Sequence, residues 1–460
     1  MGYKRTITVD DKAITEGAGL TLKQSLIPCG LVTILFFLWG FAYGLLDVLN
    51  SHFRTLLHLS NAEATGITAA YFGAYFICPL TISGWILRRF GFRVTFMTGL
   101  AILAVGSLLF WPSGVKASFG GFCGSMFVVG AGLSTLEVGA DNFLAICGPP
   151  RYSEIRLNLA QGIQGVGSFV APLLASRVFF AKTIDDAAGL KNVQWVYLGV
   201  ACFVALLIVL FYFAPMPEVT DADMNLQEVD IGGEDVGPLR QQYGLFLGVW
   251  SQFCYVGAQV AVANFFIDFC VEAGNDKAWS SDLFAIGQGL YALNRFIAAY
   301  LMTFKIIKPR YILAVYLGLC FVFSLAATLT HGMTSVALLI LLLCFESACF
   351  ATIFTLALRG LGRHTKIGGS FLVAAISGGA AIPPMTGAVA TRTNYHHAMA
   401  IPTVFYVLAY VFPVYANFWK ARELDEHRGT DLNISAQHQV GVRDAEKGGA
   451  NERVEFVEGK

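Results

Sequence analysis

Long apolar stretches alternate with short polar punctuation along most of the chain. Twelve stretches of about 20 residues, the length of a helix that crosses a bilayer, are centred near residues 38, 76, 103, 133, 167, 203, 257, 291, 321, 347, 378 and 409. They lack the polar/apolar alternation that a barrel lumen imposes on its strands, so the pattern predicts an all-α membrane protein with twelve transmembrane helices. Between the sixth and seventh stretches, residues 216–243 carry Glu218, Asp221, Asp223, Glu228, Asp230, Glu234 and Asp235 against a single Arg240. Charge and Gly/Pro content make this an acidic cytoplasmic linker with a hinge-like character. It divides the chain into a tail (1–25), a six-helix bundle (26–215), the linker (216–243), a second six-helix bundle (244–421) and a charged tail (422–460) whose composition predicts disorder.

Lys and Arg set the orientation. With both termini inside, the inner loops hold Arg88, Arg89, Arg93, Arg151, Arg156, Arg240, Lys305, Lys308, Arg310, Arg359, Arg363 and Lys366. The outer loops hold only Arg54, Lys116, Arg177, Lys182, Lys191, Lys277 and Arg392, so N-in/C-in is predicted. Composition agrees: 56% of residues are hydrophobic and 13% charged, where a soluble domain carries roughly a quarter charged residues, and mean hydropathy is +0.61. A soluble enzyme and a disordered chain are both excluded on that basis, and a net charge of zero from 31 basic and 31 acidic residues gives no pointer to nucleic acid. The ten cysteines lie in or beside apolar runs without metal or redox spacing, which reads as packing. No cleaved leader is read at the polar N-terminus. No cofactor and no metal are expected.

The halves repeat. Basic turns follow the second and the eighth stretch. Glu137 precedes Arg156 much as Glu346 precedes Lys366, and the fifth and eleventh stretches are both Gly-rich and end near Pro172 and Pro383-Pro384. Many secondary transporters are built this way, with the site at the midplane between the repeats. Acids within a span cost roughly 2.5–3.5 kcal/mol on insertion scales, so each needs a function, a partner or water. Asp47 lies in the first stretch with Tyr43 one turn earlier. Glu137 and Asp141 are four apart and share a helix face, and Asn158, Gln161, Gln164 and Ser168 form a polar stripe on the fifth stretch.

Amides and carboxylates in one place suit a polyol, and Trp39, Tyr43 and Phe36 offer apolar faces for the C–H side of a sugar. An embedded acid can also take a proton on one side and release it on the other. Glu137 is the better candidate for that coupling, while Asp47 is read as holding substrate and sharing the proton. Packing is the competing reading, even with function for Asp141 and ahead of it for the aromatics. Glu346 and Arg295 are placed to pair, with a structural link and a coupling role both open. The histidines, His396 among them, read as surface groups.

Taken in order, the stretch ending at Asp47, the segment Gly132-Leu133-Ser134-Thr135-Leu136-Glu137, Gly148-Pro149-Pro150 followed by Arg156-Leu157-Asn158-Leu159-Ala160-Gln161, Gln252-Phe253-Cys254-Tyr255-Val256-Gly257-Ala258-Gln259 and Thr352-Ile353-Phe354 resemble the fucose:proton symporter family of the major facilitator superfamily, over nearly all of residues 25–420. The resemblance implies two rocking six-helix bundles that import a hexose such as fucose, galactose or glucose with a proton. It implies functional acids at Asp47 and Glu137, helix-five amides at Gln161 and Gln164, and a substrate-facing role for Tyr255 and Gln259. The chain departs from the bacterial fucose carrier at Gly44 and Asp141, where the carrier has Asn, and at Glu346, where it has an apolar residue. A monomer in the plasma membrane, with a small sugar, protons and the bilayer as partners and no enzymatic activity, is the resulting expectation. Export or uptake of another polar metabolite, and a non-transporting sugar receptor on the same fold, are the alternatives.

Overall fold

The computed structural model describes Thr15 and residues 20–56, 61–116, 118–174, 187–230 and 236–426. Among these residues there is no strand. The first half comprises α1 (Leu22–Leu56), α2 (Asn61–Cys78), α3 (Gly84–Val115), α4 (Phe119–Ile146), α5 (Ser153–Leu174) and α6 (Ala187–Phe213). The linker contributes α7 (Asp221–Asp230). The second half comprises α8 (Tyr243–Glu272), α9 (Lys277–Leu301), α10 (Pro309–Leu329), α11 (Met333–Glu346), α12 (Cys349–Leu358), α13 (Thr365–Ala374), α14 (Gly378–Arg392), α15 (Tyr395–Ala398), α16 (Ala400–Ala409), α17 (Val411–Phe418) and α18 (Ala421–Glu426).

Eight segments of the described chain are long and apolar enough to cross a membrane. One of them, Gly66–Ser113, is 48 residues long and bends back at Gly91, so it contains two of the predicted stretches. The stretches centred near 167 and 291 are helices α5 and α9, which carry too many polar residues to qualify by composition. Near 203 only a shorter apolar helix, Leu198–Phe213, qualifies.

The reversal at Gly91 follows from local chemistry. Its φ of 78° is a conformation that glycine adopts without the Cβ clash of other residues, and the amide it frees at Phe92 donates to the Glu218 carboxylate at 3.0 Å. An acidic linker residue thus caps the helix that restarts after the turn. The eleventh predicted stretch is likewise not one helix: α13 gives way at Ala375–Ser377 to a single tight turn before α14.

Close helix approach is bought with small residues, as expected where apolar lipid offers no hydrophobic drive between helices. A Cβ on Gly40 of α1 would stand 1.9 Å from the Gln164 carbonyl oxygen of α5, and one on Gly167 would stand 2.5 Å from the Phe37 carbonyl. The second half uses the same device in the equivalent pair. A Cβ on Gly257 of α8 would lie 2.6 Å from the Gly378 carbonyl, and one on Gly378 would lie 2.1 Å from that of Phe253. First and fifth stretches therefore pack backbone to backbone in both halves. Around these seams the core is aromatic: Phe96 sits with Phe92, Phe143 and Phe211 at centroid distances of 6.4, 6.2 and 5.3 Å.

Two segments are more ordered than their composition predicts. The linker is docked rather than hinge-like: Met216, Val219, Thr220, Asp223 and Met224 are buried, α7 packs on the Gly362–His364 turn, and Arg363 and His364 reach the Val236 and Gly237 carbonyls at 2.8 and 3.1 Å. Thr15 of the N-terminal tail donates to Asp223 through its amide and hydroxyl, at 2.9 and 2.7 Å. The start of the C-terminal tail is held too, because Asp425 of α18 binds Lys308 at 2.5 Å and Arg310 at 3.0 Å. Burial opposes the Asp425 charge, but these two cations outweigh it and hold the carboxyl below its ordinary range. The predicted disorder of residues 427–460 lies outside the described residues.

Gly40→Ala should destabilise the protein by about 1–3 kcal/mol, the range for overpacking a tight contact. Gly30→Ala on the same helix, where an added Cβ meets nothing within 4 Å, should be close to neutral. Thermal unfolding in detergent, followed by tryptophan fluorescence, distinguishes the two.

Candidate transport site

Buried polar side chains collect where α4 and α5 of the first half face α9 and the α11–α12 junction of the second. Glu137 and Asp141 lie one turn apart on α4, at 3% and 0% exposure. The Tyr75 hydroxyl faces Glu137 and accepts from the hydroxyl of Tyr71 at 3.2 Å, so two phenols of α2 lead to that carboxyl. Neither Asp141 oxygen has a hydrogen-bond partner, and Arg295 is the cation whose field reaches it.

Arg295 of α9 joins the halves. It is 5% exposed and uses all three nitrogens. Its Nε donates to the Ser347 carbonyl at 3.0 Å, Nη2 to the Tyr291 hydroxyl at 2.5 Å and Nη1 to the Gln161 carbonyl of α5 at 2.5 Å. Nη1 also stands 3.5 Å from Gln164 Oε1, at the edge of hydrogen-bond distance. Its guanidinium lies 4.5 Å from the Tyr291 ring centroid, a cation–π contact that adds to the hydrogen bonds. Tyr291 in turn accepts from Gln259 Nε2 at 2.8 Å. The structure therefore brings Gln161, Gln164, Gln259 and Arg295 into one network.

The expected Arg295–Glu346 pair is not formed: no ion pair links them among the described residues. Arg295 is spent on carbonyls and a phenol, while the Glu346 carboxylate accepts from the Tyr406 hydroxyl and its backbone carbonyl from Tyr255 at 2.7 Å. Tyr255 is thus committed to the second half's own backbone. Trp39 is buried at 7% exposure and packs on Phe36 at 5.8 Å. Asn158 donates to the Glu154 carbonyl of its own helix at 2.9 Å. Tyr43 and Asp47 fall within α1, but their side chains lie outside the described residues. His396 is buried rather than at the surface, stacked on His331 at 4.4 Å and Phe269 at 5.5 Å.

Buried side-chain atoms without a hydrogen-bond partner include Glu137 Oε2, both Asp141 oxygens, Asn142 Oδ1, Asn158 Oδ1, Gln161 Oε1 and both Gln252 amide atoms. Each such group costs about 1–3 kcal/mol when left unpaired. Donors and acceptors held ready in this way are what a hydroxyl-rich ligand would satisfy. Tyr75, Asn142 and Tyr291 escaped the sequence reading, and Gln252 entered it only as the start of a motif, because single tyrosines and amides are common in apolar runs. The spacing that marks them is present: Gln252, Tyr255 and Gln259 recur at three and four residues, and Tyr291 precedes Arg295 by four.

At one end of the molecule the halves are also tied by charge. Glu154 Oε1 of α5 lies 2.5 Å from Arg359 Nη2, with the side chains 0% and 7% exposed, although the contact lacks the alignment of a hydrogen bond. Lys366 reaches Glu218 at 3.5 Å. Gly369 of α13 leaves room for Asn142 of α4, whose Oδ1 would be 1.9 Å from an added Cβ.

A polar, two-sided site between repeated helical halves defines a membrane transporter, and comparison with known proteins specifies which kind. Residues 32–384 match the family model described as Major Facilitator Superfamily, and the chain belongs to that superfamily. It is 31% identical over 381 residues to the glucose/galactose transporter of Brucella abortus biovar 1 (strain 9-941), covering 82% of this chain and 90% of that protein. The L-fucose-proton symporter of Escherichia coli K12 is 27% identical over 435 residues, 90% of this chain and 98% of its own length. Among solved structures, the crystal structure of the superfamily transporter FucP in the outward conformation matches with a TM-score of 0.75 at 26% identity, over 85% of this chain and 99% of that one. The resemblance drawn from the motifs is borne out.

Arg359→Gln strands the Glu154 carboxylate in a buried position, and loss of one partner of such a pair costs about 3–5 kcal/mol. A double-mutant cycle with Glu154→Gln, read by thermal unfolding, should show the double variant recovering part of that loss. Simple additivity would mean that the two charges do not act on one another.

Proposed function

We propose that the chain is a secondary active importer that moves a hexose of the fucose, galactose or glucose type together with protons. The observation that carries this reading is the gathering of unpartnered amide and carboxylate atoms from α4 and α5 beside a guanidinium that spans both halves. The names of the relatives supply the cargo class. In this reading twelve helices form two six-helix bundles, residues 26–215 and 244–421, with both termini inside and the 216–243 linker in the cytoplasm. The protein acts as a monomer in the plasma membrane, with no cofactor and no catalytic residue.

The sugar sits between the bundles. Gln161, Gln164, Asn158 and Gln259 exchange hydrogen bonds with its hydroxyls, Asp47 and Tyr43 approach it from α1, and Trp39 and Tyr255 border the site. Arg295 holds Gln161 and Gln164 in position, and Asp141 supplies a further acceptor. Glu137 carries the coupling proton, with Tyr75 and Tyr71 as its hydroxyl neighbours and Asp47 sharing the load. Because the halves are tied through Glu154–Arg359 at the end that N-in topology makes cytoplasmic, release inward requires that tie to part while the opposite ends approach, the rocking that exposes one site to each side in turn.

Glu137→Gln keeps the shape and hydrogen-bonding capacity of the side chain but cannot lose a proton. In proteoliposomes it should sharply reduce accumulation of labelled sugar against its gradient while sparing exchange of sugar across the membrane. A variant that concentrates sugar as well as the wild type would remove Glu137 from the coupling role.

A further inference from the structure

A second acid stands outside this scheme, at a break in a helix. α11 ends at Glu346, Ser347 and Ala348 form a turn, and α12 starts at Cys349. The carbonyls released by the break are taken by side chains from two neighbouring helices. Asn294 Nδ2 donates to the Cys344 carbonyl at 2.8 Å, the Tyr255 hydroxyl to that of Glu346 at 2.7 Å and Arg295 Nε to that of Ser347 at 3.0 Å. A broken helix in a transporter is tolerated where other groups re-satisfy the freed backbone, and such breaks mark ion-handling positions.

The Glu346 carboxyl is 0% exposed. One oxygen accepts from Tyr406 of α16, the other has no partner, and no Lys or Arg lies within ion-pair distance among the described residues. The titratable groups that face it are Tyr255 of α8, Tyr291 of α9, Cys320 of α10 and Tyr406 itself, with Arg295 on the adjacent Ser347 carbonyl and Cys349 beside Tyr255. Five of these six are neutral in their ordinary form, and Arg295 is already committed to other acceptors. An embedded acid so placed is functional by default.

We propose that Glu346 is a second proton-binding site, in the second half of the molecule, and that the chain moves two protons with each sugar. The unpartnered oxygen takes the proton as an O–H bond and returns it to water after the halves have rocked; no other bond changes. Coupling runs through the hinge. Arg295 holds the Ser347 carbonyl next to Glu346 with one nitrogen and the α5 residues Gln161 and Gln164 with another. Separation of the halves at α5 frees that second nitrogen, so the field and hydrogen bonding around the Glu346 hinge differ between the two states. A site whose surroundings change with the transport step is what a coupling proton requires.

This inference rests on the reading of the chain as a proton-driven hexose importer, and the test separates the two. With the membrane potential clamped at zero and a tenfold proton gradient, proteoliposomes of the wild type should accumulate labelled galactose, fucose or glucose to about a hundredfold. Those of Glu346→Gln should reach about tenfold with sugar exchange preserved. Equal accumulation by both would overturn the proposal and leave the importer reading intact. No accumulation of any sugar by the wild type would defeat the importer reading and the two-proton ratio with it. Infrared difference titration of the protein in lipid needs no sugar: it should show a protonated-carboxyl band that changes with pH and is missing in Glu346→Gln. A spectrum without such a band overturns Glu346 as a proton site. Should Glu346→Gln fail to fold, Tyr406→Phe, which keeps the acid and removes its phenol donor, should shift the pH at which the band titrates. An unshifted band would count against the proposal.

Discussion

A guanidinium buried between two halves of a membrane protein needs acceptors on every side, and that requirement organises the centre of this molecule. Arg295 finds them in the Ser347 carbonyl, the Tyr291 hydroxyl and the Gln161 carbonyl. Two of the three groups belong to its own half and one to the other. A Lys could not reproduce the arrangement, because its single ammonium lacks the planar fork that serves several directions at once. The α11–α12 break supplies one acceptor by releasing a carbonyl from its helix, and the amide stripe of α5 supplies another. Helix break, stripe and cation are therefore one device.

Everything around that device serves to bring helices close without bulky side chains between them. The Gly40–Gly167 seam sets α1 against α5, and the Gly257–Gly378 seam sets α8 against α14. These are the same two positions of the six-helix repeat, so the internal symmetry seen in the sequence has a packing counterpart. The docked linker adds a second layer: Glu218 caps the turn at Gly91 and also meets Lys366 of the other half. A segment read as a passive connector is thus a participant in how the halves are held together.

Much of this was legible beforehand. Run lengths located the helices, and the motifs ending at Asp47 and Glu137 located the family. The three-residue spacing of Asn158, Gln161 and Gln164 located the polar face of α5. What escaped was pairing in space. Arg295 and Glu346 looked like natural partners because both are charged and embedded, yet a carbonyl freed by an unforeseen helix break competed for the guanidinium and Tyr406 competed for the acid. A break of two residues within an apolar run has no hydropathy signature. The linker misled for another reason: its acidic composition suits solvent, but Glu218 and Asp223 are capping and bridging groups whose partners lie far away in sequence. Likewise Glu154 and Arg359 carry no sign, in one dimension, that they meet.

This site is proposed to move a hexose by means of protons. Uptake of labelled L-fucose, D-galactose, D-glucose and other hexoses into proteoliposomes, with and without an inward proton gradient, tests it most directly. Accumulation of at least one of these sugars that depends on the gradient is the predicted result. Folded protein that takes up none of them, with or without the gradient, would contradict the account.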